Sequence, residues 1–260
     1  MDPKTDNPLF IQSLNVNGIS VKEKREKVLK TLREHNADVL FLQETHVRAV
    51  KEWKGLSFCS FGSNKSAGSA VLFRKGLDLE VQEQSSDYEG RVMSVKAIVH
   101  GHGVNFVSIY APNNPSAKKL FFSEELPKFL SVDHLNVLGG DFNCVECLDI
   151  DTLNHSNTSC TLVGHNELHS TVTDFDLEDK WRAENPQCKQ FTWTNRTGTQ
   201  ASRLDRFYVP KDMPVKSYHV SFFPFSDHKL IDIRLQLIQA VSRSSNRKTH
   251  WKLNTSVLEE

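Results

Sequence analysis

Ser226-Asp227-His228 sets a carboxylate beside an imidazole at the mouth of a clean alternation. Ile231, Ile233, Leu235 and Leu237 take one side of that run; Asp232, Arg234 and Gln236 take the other. Five more polar clusters close apolar runs in the same way: Leu14-Asn15-Val16-Asn17-Gly18, Leu42-Gln43-Glu44-Thr45, Ile109-Tyr110-Ala111-Pro112-Asn113, Gly139-Gly140-Asp141-Phe142-Asn143 and Ser202-Arg203-Leu204-Asp205-Arg206. On an extended chain residues two apart share a side, so Asn15 goes with Asn17 and Asp141 with Asn143. Glu44, Asp141, Asp205 and Asp227 are oxygen donors of the kind hard Mg²⁺ prefers. Asn15 and Asn143 can bind a metal or donate to a phosphate oxygen. Tyr110 can donate a hydrogen bond, and His228 can titrate or be held protonated by a carboxylate. Pooled, these groups suit metal-assisted hydrolysis of a phosphoester: activate water, neutralise developing charge, stabilise the leaving oxygen. Singly, each cluster reads as a turn, a cap or a strand exit. Six at strand ends in one chain carry the argument.

The elements that must position them are legible as alternating strands and helices. Strands are expected at Phe10 to Val16, Asp38 to Gln43, Gly68 to Phe73, Leu77 to Gln84, Arg91 to Val99, Val104 to Tyr110 and Leu135 to Gly139. Amphipathic spacing predicts helices over Val21 to Asn36, Gly164 to Phe175, and Ser116 to Leu130, with Ser116 as cap and Pro127 bending or ending it. Cys144 to Ser159 reads as a long polar loop. Gln190 to Thr194 and Arg203 to Val209 read as two strands joined by the polar Asn195–Ala201 linker. The final strand spans Lys229 to Leu237. No composition shift interrupts the chain before about residue 238, which predicts one α/β domain.

The bulk numbers bound the classes. The 260 residues are 38% apolar and 25% charged, enough for a sizeable core. Zero net charge argues against a uniformly basic nucleic-acid binder and leaves room for a local basic face. No run is long and apolar enough to span a membrane, and the start, Met1-Asp2-Pro3-Lys4, is unlike a secretory signal. Five cysteines and a single Cys144-x-x-Cys147 pair point to free thiols rather than zinc.

The six clusters, in this order over about residues 9 to 237, resemble the exonuclease–endonuclease–phosphatase superfamily. The resemblance implies a four-layer α/β sandwich, two β-sheets face to face with helices outside, and an active site at one edge. It implies Glu44 as main metal ligand with Asn15 and Asp227 on the metal side, and Mg²⁺ as cofactor with Mn²⁺ as substitute. It implies Tyr110 and Asn143 on the scissile phosphate, Asp141 at the attacking water, and Asp205 behind a catalytic His228. Thr192 falls where the family has a small hydroxyl near the phosphate.

Three details resemble the LINE (non-LTR) retrotransposon branch: Asn17 where abasic-site repair enzymes have an acid, Gln43-Glu44-Thr45-His46, and the tail His250-Trp251-Lys252-Leu253-Asn254. Lys22-Arg25 and Trp181-Arg182 fit the same branch. That branch implies an endonuclease that nicks one strand of double-stranded DNA, in the nucleus, to leave a 3′-hydroxyl for a reverse transcriptase domain of the same polyprotein. It implies an arm over 1–8, an endonuclease domain over 9–238 and a linker over 239–260. It also implies that the hairpin carrying Asn195, Arg196, Thr197 and Gln200, with Asn17 and Thr192, meets the DNA. The rival readings are an abasic-site repair endonuclease, a phosphodiesterase or phosphatase on lipid or inositol phosphates, and a catalytically dead scaffold.

Overall fold

In a computed structural model of the protein, residues 8–62, 67–154 and 162–237 are described. Most of the expected arm, the linker over 239–260, the His250–Asn254 motif and Cys160 lie outside the described residues.

Two six-stranded sheets lie face to face. The strands in chain order are β1 (Leu9–Asn15), β2 (Val39–Gln43), β3 (Ser57–Ser60), β4 (Ser69–Phe73), β5 (Leu79–Ser86), β6 (Val92–Val99), β7 (His102–Tyr110), β8 (Leu135–Asp141), β9 (Thr152–Leu153), β10 (Leu177–Glu178), β11 (Trp193–Thr194), β12 (Ala201–Ser202), β13 (Asp205–Pro210), β14 (Val215–Ser221) and β15 (Leu230–Leu235). The first sheet runs β14-β15-β1-β2-β4-β3 and the second β10-β13-β8-β7-β6-β5. The pairs β1/β2 and β7/β8 are parallel, and the other pairs in these sheets are antiparallel. A third, small sheet, β11-β12-β9, stands apart.

Period-2 alternation sorts each strand's residues into layers. Leu9 and Ile11, Val39 and Phe41, Phe106, Val137, Phe207 and Ile233 fill the space between the sheets. Phe10, Leu14, Leu40 and Leu72 face outward, under helix α1 (Lys22–Glu34) with its Val28, Leu29 and Leu32. On the far side Val107, Ile109, Leu138 and Tyr208 pack beneath Phe121, Phe122, Leu168 and Val172. Phe121 and Phe122 come from Phe121–Glu125, the wider continuation of α2 (Pro115–Leu120) that the tighter turn Leu126–Phe129 follows, and Leu168 and Val172 come from α4 (His165–Asp174). Two short helices, α3 (Leu148–Asp151) and α5 (Lys180–Glu184), flank this side. The architecture is the expected four-layer sandwich. No helix among the described residues is long and apolar enough to cross a membrane.

Several local expectations change. The cap of α2 is Asn114, whose Oδ1 accepts from the Ala117 N–H at 3.0 Å, with Pro115 opening the helix in place of the expected Ser116 cap. The polar loop after Cys144 contains α3 and β9. The Asn195–Ala201 linker joins β11 to β12 within the small sheet, not β11 to β13, because Leu204 breaks the strand before Asp205 enters the second sheet. Strands β3 and β14, at sheet edges, were not expected. Asp141 ends β8 and caps no helix; a Cβ on Gly139 would meet the Phe207 and Phe41 rings at 2.5 and 2.6 Å, so glycine lets those rings close the core beneath Asp141.

Candidate active site

The space between the sheets is apolar until the last turn of the strands. There Gln43 Nε2 donates to Ser13 Oγ at 3.2 Å and Ser108 Oγ at 3.1 Å, a buried polar seal tying the two sheets. One step further along lie the predicted residues. Register places Tyr110 and Asp205 beside Asp141, so three strand ends of the second sheet converge. From the first sheet, Asn15 Nδ2 crosses to Asp141 Oδ2 at 3.0 Å and also donates to Glu44 Oε1 at 2.9 Å. Glu44 stands at φ 50°, in the left-handed region, which re-aims its side chain once β2 has ended.

His228 arrives from the other edge. Ser226 Oγ donates to the Asn15 carbonyl at 2.6 Å and accepts from the His228 N–H at 3.0 Å, so the serine of the tripeptide fastens the turn to β1. His228 Nδ1 then donates to Asp205 Oδ2 at 2.8 Å, and Nε2 lies 3.8 Å from Asp141 Oδ2. All three residues are buried, and their ligand atoms lie within 4.8 Å of one another, a cluster of the type that can hold a metal ion. Burial disfavours the imidazolium, but Asp205, and then Asp141 and Asp227, raise its pKa to about 10. Burial first, and Asp205 next among the groups that raise it, push Asp141 up to about 6 despite the pull of His228. Burial likewise pushes Tyr110 up, helped by Glu44 and Asp141, so it stays a phenol able to donate.

Thr192 is buried, and its Oγ1 accepts the N–H groups of Leu204 and Asp205, both at 2.9 Å. It therefore sets the backbone that aims Asp205. Asn143 is pinned at φ 48°: its N–H donates to Asp141 Oδ1 at 2.9 Å and its Nδ2 to the Ala111 carbonyl at 2.8 Å. Asp227, on the exposed side, accepts from Asn17 Nδ2 at 2.9 Å and Trp193 Nε1 at 3.1 Å. Of the predicted residues, Asn17, Glu44, Asp141, Asn143, Asp227 and His228 line a cavity of about 380 Å³, and Asn15, Tyr110, Thr192 and Asp205 are not in its wall.

Its wall also holds Asn113, which the third cluster contains without a role, and Trp193 and Lys118, to which the sequence assigns none. Lys118 had a signal: it precedes the buried Phe121 and Phe122 by three and four residues, an apolar-face position for a helix. The hairpin residues Asn195, Arg196, Thr197 and Gln200 stand apart from the cavity wall. Asn195 Oδ1 accepts from the Gln200 N–H at 3.0 Å and its Nδ2 donates to Thr199 Oγ1 at 3.1 Å, while Arg196 and Thr197 are exposed. Among the described residues the cysteines are free thiols, Cys144 buried and Cys147 exposed.

Residues 13–228 match the Endonuclease/Exonuclease/phosphatase family. The chain belongs to it. The Transposon TX1 uncharacterized 149 kDa protein of Xenopus laevis is 29% identical over 266 residues, which cover 97% of this chain. The chain spans 20% of that relative's length. The AP endonuclease LMAP of Leishmania major superimposes with a TM-score of 0.74 at 17% identity, covering 92% of this chain and 90% of its own. An AP endonuclease from Archaeoglobus fulgidus gives 0.69 at 18%, covering 88% of this chain and 100% of that one. The 3′–5′ exonuclease NExo of Neisseria meningitidis gives 0.67 at 20%, with 88% and 100% covered. At these identities the likeness is one of fold, and the family's nuclease and phosphatase chemistry is the frame for the site.

Proposed function

We propose that this domain is a Mg²⁺-dependent endonuclease that nicks one strand of nuclear DNA and leaves a 3′-hydroxyl to prime a reverse transcriptase in the same polyprotein. The observation that carries the hydrolytic reading is the Asp205–His228 pair opening onto a cavity walled by Glu44, Asp141 and Asp227. The kinship with a transposon protein along nearly the whole chain supports the retrotransposon setting.

The donor set fits a divalent cation. Glu44, Asp141 and Asp227 offer only oxygens, as Mg²⁺ or Mn²⁺ prefers. His228 is a poor ligand, because its Nδ1 is committed to Asp205 and protonation removes the lone pair of Nε2. Glu44 and Asp227 would therefore hold the ion. Asn15 would steady the site from its bridging position, where both N–H bonds already go to Glu44 and Asp141 and Oδ1 accepts from the Asn17 N–H at 3.0 Å. A cation bound there supplies positive charge to the phosphate and the departing oxygen.

The chain's own groups do the rest. His228 Nε2–H donates to a non-bridging oxygen of the scissile phosphate, with Asp205 fixing the ring. Asp141, poised near neutrality, takes a proton from the attacking water. The water oxygen bonds to phosphorus, the P–O3′ bond breaks, and O3′ leaves to be protonated by solvent. Tyr110 and Asn143 hold the phosphate in line.

The test is relaxation of supercoiled plasmid with Mg²⁺ and with chelator, followed by extension of the nicks with a DNA polymerase. Metal-dependent open circles that prime synthesis are expected. The abasic-site reading has one supporting observation, the two AP endonucleases of like fold. Strong preference for an abasic oligonucleotide over intact plasmid would favour it.

A further inference from the structure

Helix α2 is built inside out. Its one buried residue is Lys118, at 2% exposure, while Leu120 two positions on is 55% exposed. Lysine is among the residues least often fully buried, and an ammonium taken out of water carries a large penalty. The Lys118 stem lies against Gly164, where an added Cβ would meet its Cγ at 3.0 Å and its Cδ at 3.1 Å, so the slot is shaped for the stem. The amine donates to the backbone carbonyl of Asn143 and lines the cavity beside Asn143.

Contacts order the cavity from end to end. Lys118 holds Asn143, Asn143 holds Asp141, Asn15 bridges Asp141 to Glu44, and Glu44 closes the acidic end. The other cation in the wall, His228, is offset by Asp205. We propose that Lys118 binds a backbone phosphate of the nucleic-acid strand, next to the one that His228 faces. This rests on the nuclease reading above.

The measurement is binding of a labelled DNA duplex by fluorescence anisotropy in chelator, as a function of salt, for wild type, Lys118→Gln and Lys118→Arg. Each phosphate neutralised contributes about 0.9 to the slope of log K against log salt. Glutamine keeps a donor for the Asn143 carbonyl and removes the charge; arginine keeps the charge. The expected result is a slope reduced by about 0.9 for Lys118→Gln and unchanged for Lys118→Arg. In Mg²⁺ nicking assays, KM for Lys118→Gln should rise more than kcat falls. A wild-type slope for Lys118→Gln overturns the proposal and leaves Lys118 as a clamp on Asn143. Should Lys118→Gln melt below the assay temperature, Lys118→Met, which keeps the stem and removes the charge, takes its place: a slope reduced by about 0.9 supports the contact and a wild-type slope overturns it. Wild type that nicks DNA while Lys118→Gln keeps its slope overturns this contact alone. Wild type that neither nicks nor binds overturns the nuclease reading and this contact with it.

Discussion

Two clusters of charge sit back to back at strand β13. Asp205 points between the sheets, toward Asp141 and His228; Arg206 points to the opposite face, beneath Phe142 and Tyr208. Arg203, just before the strand, joins Arg206 and Arg182 in a buried network with Asp179, Glu146 and Asp151. There each guanidinium meets a carboxylate. Arg203 Nη2 donates to Asp179 Oδ2 at 2.5 Å, and Arg206 lies 3.4 Å from Glu146. Trp181 sits between Arg182 and Arg203, at 4.9 and 4.6 Å from its ring. The Arg203 N–H donates to the Asp151 carbonyl at 2.9 Å, which fixes the approach to β13. The cavity side is unbalanced: Glu44, Asp141 and Asp227 in its wall, with Asp205 behind His228, outnumber the cations His228 and Lys118. Matched buried charge holds a backbone in place. Unmatched acid suits the proposed uptake of a cation and hydrolysis of an anion, and the fold bears its cost.

Breaking each side should therefore fail in different ways. Asp205→Ala is expected to lower nicking by about 10²–10⁴-fold, the range for a positioned proton-transfer group, with the fold retained. Glu44→Ala and His228→Ala should behave alike. Asp179→Ala leaves Arg203 buried and unpaired and should cost about 3–5 kcal/mol of stability. The double change Asp179→Leu with Arg203→Met should recover much of that, since apolar replacements of buried pairs are often neutral. Urea unfolding alongside plasmid nicking reads both. A stable Asp179→Ala with an unfolded Asp205→Ala would reverse the comparison.

The two clusters also differ in how far sequence exposes them. Both sheets' inner strands, the helix α1 and all six strand-end clusters are written in local periodicity, so the cavity's acids could be named in advance. The ion network could not: its paired residues are 24 to 60 positions apart and each looks like an ordinary surface charge. Edge strands were missed for a related reason. Strand β14 carries a register shift between Val215 and Ser217 that breaks the alternation, and β3 offers only Ser-Phe-Cys-Ser. Lys118 was lost because a lysine in a helix reads as solvated, whatever face it occupies.

The unbalanced side should also show its cost as a function of pH. Asp141 has its pKa raised from 3.8 to about 6, so the fold favours its protonated form. The stability this group contributes is present below pH 3.8 and lost as pH rises through about 6. Two units correspond to ~3 kcal/mol. Asp141→Asn, which stays neutral, is expected to unfold at higher urea than wild type at pH 8 in chelator, with the advantage shrinking toward pH 5. It should not nick at either pH. An advantage that is constant across pH would mean the gain has nothing to do with the buried charge.

The smallest expected effect belongs to the hairpin between β11 and β12, which shares neither cluster's burial. Its shape is fixed from within by Asn195, and Asn154 Nδ2 braces it by donating to the Thr199 carbonyl at 3.3 Å. That frame leaves Arg196 and Thr197 projecting into solvent, one hairpin length from the Trp193 that borders the cavity. A stiff exposed loop near a cleavage site can sense groove width without reading individual bases. Replacing residues 196–199 with Gly and Ser should change stability by no more than ~0.5 kcal/mol, as for other surface changes. The total nicking rate should hold while the mapped nick positions redistribute. Arg196→Ala alone should lower the salt slope by at most about 0.9, one phosphate's share. A nick map identical to wild type would leave the hairpin an ordinary exposed turn, and target choice would then lie in the cavity wall, with Asn17, Trp193 and Asn113.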